Sequence, residues 1–440
     1  MELNVVQTGT LRMVGSLQIS DFEDARGNVR GRLTVLVKLV FLAENATVQR
    51  MSAFDRIRPY HDHEVPEVVN RIVNHPDLPK AAAKILMPGF LRGSGIGGWL
   101  SQWMIRQKTR SLSSISDCQA LIAVYFQDLI DATICSFTTS GLEDLDPNLP
   151  YLFTSNHRDI VLDSSLMNFL LHQAGYPTCR MAIGDNLLEH QLAADLMKLN
   201  KSFVVERDVA SAKAAYKNLV RTSQYIRQSI EEGVSVWIAQ REGRAKDGWD
   251  RTDPALLKML ALAHKDQGTS GDGFDNMRDR YTIIPVSVAY ELDPCAGMKA
   301  HELFLTDRDG RYDKKPDEDV HSIITGLIGQ KGRVHIHFGR PLGNEVETPQ
   351  TLAGVIDQSV LGNMRVYPTH VHAAELLQDE GIEASSVPPL ADVMARFDAA
   401  LAACPEVERP HFLLQYANLI RNRREALGES GPHPALPDRP

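Results

Sequence analysis

The sequence predicts an α/β fold: a central mixed sheet flanked by helices, with a helical N-terminal region and a C-terminal helical extension. Three observations predict it. From about residue 141, short apolar runs alternate with longer stretches of helical spacing, the pattern of strands covered on both faces. Before that point, residues 66–137 show helical spacing. Beyond Leu342 the chain returns to helical patterning.

Taken in order, residues 1–50 show no clear period, and Met51 opens MSAFDRIRPY as a natural start. The first fifty residues are therefore expected to be a poorly ordered extension, or to precede the true start. A helical region over 51–140 comes next. VPEVVNRIVNHP sets Val68, Val69, Ile72 and Val73 on one face. Pro79 opens the next helix, PKAAAKILM, and Pro88-Gly89 stops it. After a glycine-rich turn come WLSQWMIRQKTR and a long helix across 117–135. The α/β domain is expected over 141–345. Its strands are YLFTS (151–155), SFVVE (202–206), SVWIA (235–239), YTIIPVSVAY (281–290) and RVHIHFG (333–339), with helices across 208–232 and 253–265. A helical region over 346–428 and a disordered tail, 429–440, complete the chain. No internal repeat is present.

Composition narrows the function. Against 47 Lys+Arg stand 56 Asp+Glu, a net charge of −9, which argues against general nucleic-acid binding but leaves room for a local cationic pocket. The five cysteines are scattered and lack CxxC spacing, which fits a reducing cytosol without structural zinc. The N-terminus lacks the charged start and apolar core of a signal peptide. Lys38 interrupts LTVLVKLVFLA, and Asp128 and Asp131 interrupt LIAVYFQDLIDATI, so neither supplies the ~18 uncharged residues of a membrane span. The expectation is a cytoplasmic protein, soluble or peripheral at the inner membrane face.

The chemistry concentrates at two strand ends, where α/β proteins bind their ligands. TSNHRDIVLDSS (154–165) places His157 just past an apolar run, with Asp159 and Asp163 close behind. Neutral imidazole suits the deprotonation of a hydroxyl near pH 7, and a carboxylate on its other nitrogen fixes the tautomer. Both aspartates are candidates for that carboxylate, although either also suits a helix cap. REGRAKDG (241–248) follows the second run and carries Arg244 and Lys246, while Arg207 ends FVVER. Guanidinium forks match phosphate oxygens. A base at one ending and fixed cations at the other indicate a transferase for a small anionic substrate. HRD also invites comparison with protein kinases, but the Asn expected five residues after the Asp is Ser164 here.

NHRDIVLD, FVVERD (203–208), REGRAKDG and IIPVSVAYE (283–291), in that order and closed by FGRPL (338–342), resemble the glycerolipid acyltransferase superfamily of glycerol-3-phosphate and lysophosphatidate acyltransferases. The likeness covers roughly 141–345. The chain's length and its YELDPC segment resemble the larger glycerol-3-phosphate enzymes more. The resemblance implies His157 as general base and Asp163, or alternatively Asp159, as its partner. It assigns Arg207 and Arg244, with Lys246 a weaker match, to the acceptor phosphate, and matches Glu242 and Gly243 to the family's EG pair. Asn156 and Arg158, which flank the base, are candidate substrate contacts.

Two departures stand out. Five residues separate His157 from Asp163 where the family has four, and the third block reaches its arginine one residue early. The implied reaction moves an acyl group from acyl-CoA or acyl-carrier protein to glycerol 3-phosphate or a lyso-lipid, with no covalent intermediate, cofactor or metal. Backbone N–H groups of the 157–163 turn or the 242–248 loop are candidates for the oxyanion. A thioesterase and a catalytically weak lipid-binding protein are the alternatives.

Other signals are weaker. Gly93, Gly95 and Gly98 spell GxGxxG without a preceding strand. HDHE (61–64) reads as a solvated turn, and His335 and His337 share a strand face without a third ligand. Trp99, Leu100, Trp103 and Met104, followed by Arg106, Lys108 and Arg110, suit an interfacial membrane helix over 99–110, or a core helix.

Overall fold

The computed structural model describes residues 53–79, 94–185, 190–207, 211–265, 271–315, 317–343, 346–382 and 384–429. The chain divides at Asp55/Arg56 into two units, and every described helix and strand belongs to the unit that begins at Arg56. The N-terminal extension, the helix expected after Pro79 and the C-terminal tail from residue 430 lie outside the described residues.

Among the described residues, three α-helices lead in: α1 (Val65–Val73), α2 (Gly95–Thr109) and α3 (Ile115–Thr133). Ser114 and Asp117 cap α3 reciprocally. The Ser114 hydroxyl accepts from the Asp117 N–H at 3.1 Å, and the Asp117 carboxylate accepts from the Ser114 N–H at 3.0 Å. The α/β region then runs β1 (Ser136–Ser140), β2 (Leu152–Ser155), α4 (Leu162–Gln173), β3 (Arg180–Gly184), α5 (Gln191–Leu199), β4 (Ser202–Val205), α6 (Ala212–Glu231), β5 (Val236–Ala239), α7 (Pro254–Ala261), α8 (Phe274–Arg280), β6 (Ile283–Tyr290), α9 (Ala296–Asp309), α10 (Glu318–Ile328) and β7 (Arg333–Phe338). The C-terminal extension is α11 (Pro349–Gly362), α12 (Pro368–Leu376), α13 (Ala391–Ala403) and α14 (Arg409–Ala426).

The sheet has seven strands in the order β1-β7-β6-β2-β5-β3-β4, parallel except at β6–β7. It is mixed, as the sequence predicts. Central strands buried on both faces tend to read as apolar runs; β5 (VWIA) does so, while β2 (LFTS) is buried throughout but ends in Thr154 and Ser155. The two strands absent from the sequence expectation are less apolar. SFTTS (β1) is a half-exposed edge strand, and RMAIG (β3) is broken by Arg180 and Gly184.

Phe153, Leu166, Met167, Trp237, Ile284 and Ile336 belong to the main core. Leu292, Ala300, Phe397, Phe412 and Tyr416 form a second core under the C-terminal helices. Because β2, β5, β3, β4 and β6 all run the same way, their C-terminal ends line one edge of the sheet. Both loops singled out in the sequence leave from that edge.

Candidate active site

The turn after β2 is built to present one imidazole. Asn156 is fully buried and clamps β6: its side-chain amide donates to the Val288 carbonyl at 2.9 Å and accepts from the Val288 N–H at 2.8 Å. Both polar ends of Asn156 are therefore spent on the scaffold. Asp159 accepts from the N–H groups of Val161 (2.9 Å) and Leu162 (2.8 Å), capping the start of α4. The turn it closes absorbs the extra residue between His157 and the second aspartate. Burial and the neighbouring Asp163 charge push the Asp159 carboxyl up.

Asp163, in the first turn of α4, is the carboxylate that meets the imidazole. Its Oδ2 lies 2.8 Å from His157 Nδ1 and also accepts from the backbone N–H groups of Arg158 (2.6 Å) and Asp159 (3.0 Å). Its Oδ1 accepts from the Tyr290 hydroxyl at 2.8 Å. Burial alone would raise its pKa, but the bonds from His157 and from these backbone N–H groups hold it below the ordinary carboxylate value. An anionic Asp163 can only accept, so Nδ1 of His157 carries the proton and Nε2 presents a lone pair. Nε2 has no hydrogen-bond partner among the described residues, and the side chain is 16% exposed. Trp237 stands edge-to-face against the imidazole with ring centroids 5.9 Å apart, which limits the ring's rotation.

The loop after β5 is fastened to this turn. Gln240 donates its N–H to the Ser155 carbonyl at 2.8 Å, and Ala245 donates to the His157 carbonyl at 2.9 Å. Arg158 points inward, donating to the carbonyls of Ala245 (3.1 Å) and Gly248 (3.2 Å) and pairing with the buried Asp250. From α14, Asn418 donates to the Asp247 carbonyl at 2.8 Å and Asn422 to the Asp250 carbonyl at 2.6 Å. Lys299 donates to the Arg158 carbonyl at 2.8 Å and pairs with Asp293.

The remaining candidates sit on or beside that loop. Arg244 is 8% exposed in its side chain and lies 4.0 Å from Asp319. Lys246 pairs with Glu302, and burial lowers its pKa against the opposing pull of that carboxylate. Gly243 adopts φ +74°, and a Cβ there would meet open space. Glu242 is exposed and reaches Arg207 at 3.4 Å, bridging the loops after β5 and β4.

The structure thus brings His157 and Asp163 into contact, stitches the Arg244 loop to the His157 backbone, and links Arg207 to Glu242. Arg158 and Asn156 are spent on the framework. The backbone N–H groups of Arg158 and Asp159 are taken by Asp163, so the 157–163 turn has none of these to offer an oxyanion. Those of Gly243 and Arg244 have no hydrogen-bond partner among the described residues. Sequence reasoning does not single out Tyr290, Trp237, Lys299, Asn418 or Asn422. Tyr290 and Trp237 fall within runs that read only as strands, and the two asparagines lie some 170 residues downstream, at |i−j| of 171 and 172 from their partners.

Gly95 and Gly98 lie in the first turn of α2, while Gly93 is outside the described residues. HDHE forms a single 3-10 turn, Asp62–Glu64, preceded by His61. Among the described residues no group of three or more His, Cys, Asp or Glu side chains is arranged to hold a metal.

Residues 136–288 match the family profile described as Acyltransferase, a span from β1 into β6 that contains both loops. Comparison with curated proteins gives no match. Among solved structures, the chain is similar to the 1-acyl-sn-glycerophosphate (LPA) acyltransferase PlsC of Thermotoga maritima, with 12% identity, 68% of this chain and 91% of that chain covered, and a TM-score of 0.33.

Proposed function

We propose that this enzyme, an acyltransferase by the domain spanning residues 136–288, moves a fatty acyl group from an acyl thioester, acyl-CoA or acyl-carrier protein, to a hydroxyl of glycerol 3-phosphate or a related phosphorylated lyso-lipid. The observation that carries the reading is the 2.8 Å contact between His157 Nδ1 and the buried Asp163, with Nε2 left open. His157 Nε2 takes the acceptor's hydroxyl proton as the oxygen attacks the thioester carbonyl carbon. Asp163 stabilises the imidazolium that forms. The tetrahedral oxyanion collapses with cleavage of the C–S bond, and the imidazolium returns its proton to the departing thiolate. The free N–H groups of Gly243 and Arg244 are the candidate oxyanion donors. The Asp163 contact also weighs against a binding protein with a misplaced carboxylate.

Arg207 and Arg244 hold the acceptor phosphate in this reading, with Lys246 supporting the loop through Glu302. Arg207→Ala and Arg244→Ala are each expected to raise the KM for glycerol 3-phosphate about tenfold or more, with little change in the KM for the acyl donor. Initial-rate kinetics with each substrate varied in turn check this. A parallel rise in both constants would argue for general disruption instead.

Among the described residues no helix is long and apolar enough to cross a membrane. The lipid product is met by α2. Its buried side is made of Gly97, Gly98 and Ser101, while Ile96, Trp99 and Trp103 are 69%, 66% and 49% exposed at i, i+3, i+7 spacing. A core helix would have the reverse arrangement. Two exposed tryptophans followed by Arg106, Lys108 and Arg110 fit contact with an anionic membrane surface. The double variant Trp99→Ser/Trp103→Ser is expected to weaken sedimentation with anionic vesicles by about tenfold or more. Turnover of a water-soluble donor should be retained, and unchanged vesicle binding would remove α2 from this role.

A further inference from the structure

On the sheet face away from Asp163, the HxH pair of β7 lines a cavity that acyl transfer does not use. In the β6–β7 ladder Tyr290 pairs with Val334 and Ala289 with His335. Alternation therefore puts the Tyr290–Asp163 contact on one face and both histidines on the other. There the C-terminal extension closes over β1 and β7 to leave a cavity of about 290 Å³, lined in part by Ser140, His335, His337, Arg365, Ser386 and Arg423. Among the described residues no Asp or Glu lines it. Arg365 has no hydrogen bond or ion pair among the described residues. Arg423 donates to the Gly362 carbonyl at 3.4 Å.

The histidines are wired together by hydroxyls. Thr138 Oγ lies 2.8 Å from His335 Nδ1, and Ser140 Oγ lies 3.1 Å from His335 Nε2 and 2.9 Å from His337 Nδ1. Ser140 has one hydroxyl hydrogen, so one ring must donate to it while the other accepts. With neutral rings only two arrangements satisfy every contact. In the first, Thr138 donates to His335, His335 to Ser140 and Ser140 to His337, which leaves a proton on His337 Nε2. In the second the direction reverses and Nε2 holds a lone pair. Burial, with Arg365 next in effect, keeps His335 neutral by pushing its pKa down to about 4. His337 is also lowered by burial, opposed by Glu143 and Asp144 nearby. An anion beside Arg365 selects the first arrangement and gains a second donor.

From this geometry we infer that the cavity between β7 and the C-terminal extension binds a small phosphate monoester, held by Arg365, His337 Nε2 and the Ser386 hydroxyl. Its volume sits at the lower edge of small-molecule pockets, which run roughly 300–1,000 Å³. That suits a phosphorylated small alcohol rather than a nucleotide or an acyl chain. The planar guanidinium donates to two phosphate oxygens at once.

The test is the melting temperature of the full chain titrated with inorganic phosphate at constant ionic strength. A saturable rise is expected in the wild type and in Arg244→Gln, whose change lies at the acyl-transfer site. With the acyl-transfer site removed by Arg244→Gln in each sample, the apparent Kd should weaken at least tenfold when Arg365→Gln or, as a second cavity variant, His337→Gln is added. Soluble glycerol 3-phosphate should compete with phosphate, and competition by phosphatidate vesicles as well would make a lipid headgroup the source of the phosphate. Absence of a saturable rise in the wild type, or a rise that survives in both cavity variants, would overturn the site.

Discussion

His157→Ala is expected to lower the rate of acyl transfer by about 10³-fold or more, and Asp163→Asn by a comparable 10³–10⁴-fold. The two losses have different causes. Alanine removes the base. Asparagine keeps the shape of Asp163 but puts an amide where an anion accepts four hydrogen bonds. The amide's N–H₂ then favours the histidine tautomer with its proton on Nε2, where the acceptor needs a lone pair. Because the steps act as a unit, the double variant should be little worse than either single one.

Stability responds in the same direction but modestly. Losing the His157 bond costs about 1–2 kcal/mol of folding free energy, since Asp163 keeps three other donors. The sign of its pH dependence follows from the depressed pKa of Asp163. Its stabilising contribution is full above the ordinary carboxylate pKa and is lost as pH falls through the lower folded value. Thermal melts of wild type and His157→Ala should therefore differ most near neutrality and converge at acid pH.

Gly248→Ala is the second change expected to be severe, through the loop rather than the base. Gly248 adopts φ +81°, and a Cβ there would stand 2.3 Å from the Gln415 carbonyl oxygen and 2.9 Å from its carbon. Neither the left-handed backbone nor the helix behind it can yield cheaply, so a loss of roughly 2–4 kcal/mol is expected. The effect should reach catalysis, because the same loop carries Arg244 and is tied to the His157 carbonyl. Gly243→Ala is the matched control. It has φ +74° but open space around the added carbon, so it should show the backbone strain alone, about 1 kcal/mol. Chemical denaturation of both variants, with the glycerol 3-phosphate KM, separates the steric from the conformational contribution. Equal losses in the two would refute the close packing of α14 on this loop.

How much of this is legible in the sequence depends on the range of each interaction. Strands buried on both faces advertise themselves, so β2, β4 and β5 and the loops that leave them can be read directly, and with them His157, Arg207 and Arg244. The choice between Asp159 and Asp163 cannot. Both lie within one turn of the base, and which one faces it depends on where α4 begins. That is settled by Asp159 accepting from the N–H groups of Val161 and Leu162, which starts α4 three residues after its own position. Asn156 and Arg158 stand beside the base in sequence, yet their side chains run inward to Val288 and to Asp250. The clamp from Asn418 and Asn422 is invisible for a different reason. Asparagine at i, i+4 on a helix is ordinary, and only the tertiary fold reveals that both reach carbonyls of the loop after β5. β1 hides because an edge strand made of Ser, Thr and one Phe carries no apolar signal.

The decisive measurement is release of free thiol from a long-chain acyl-CoA, and from the matching acyl-carrier protein, by wild type and His157→Ala with and without glycerol 3-phosphate. A His157 base working beside a phosphate-holding loop predicts release that requires the acceptor and disappears in the variant. Release that ignores the acceptor, or that persists in His157→Ala, would contradict this and indicate a hydrolase or a different base.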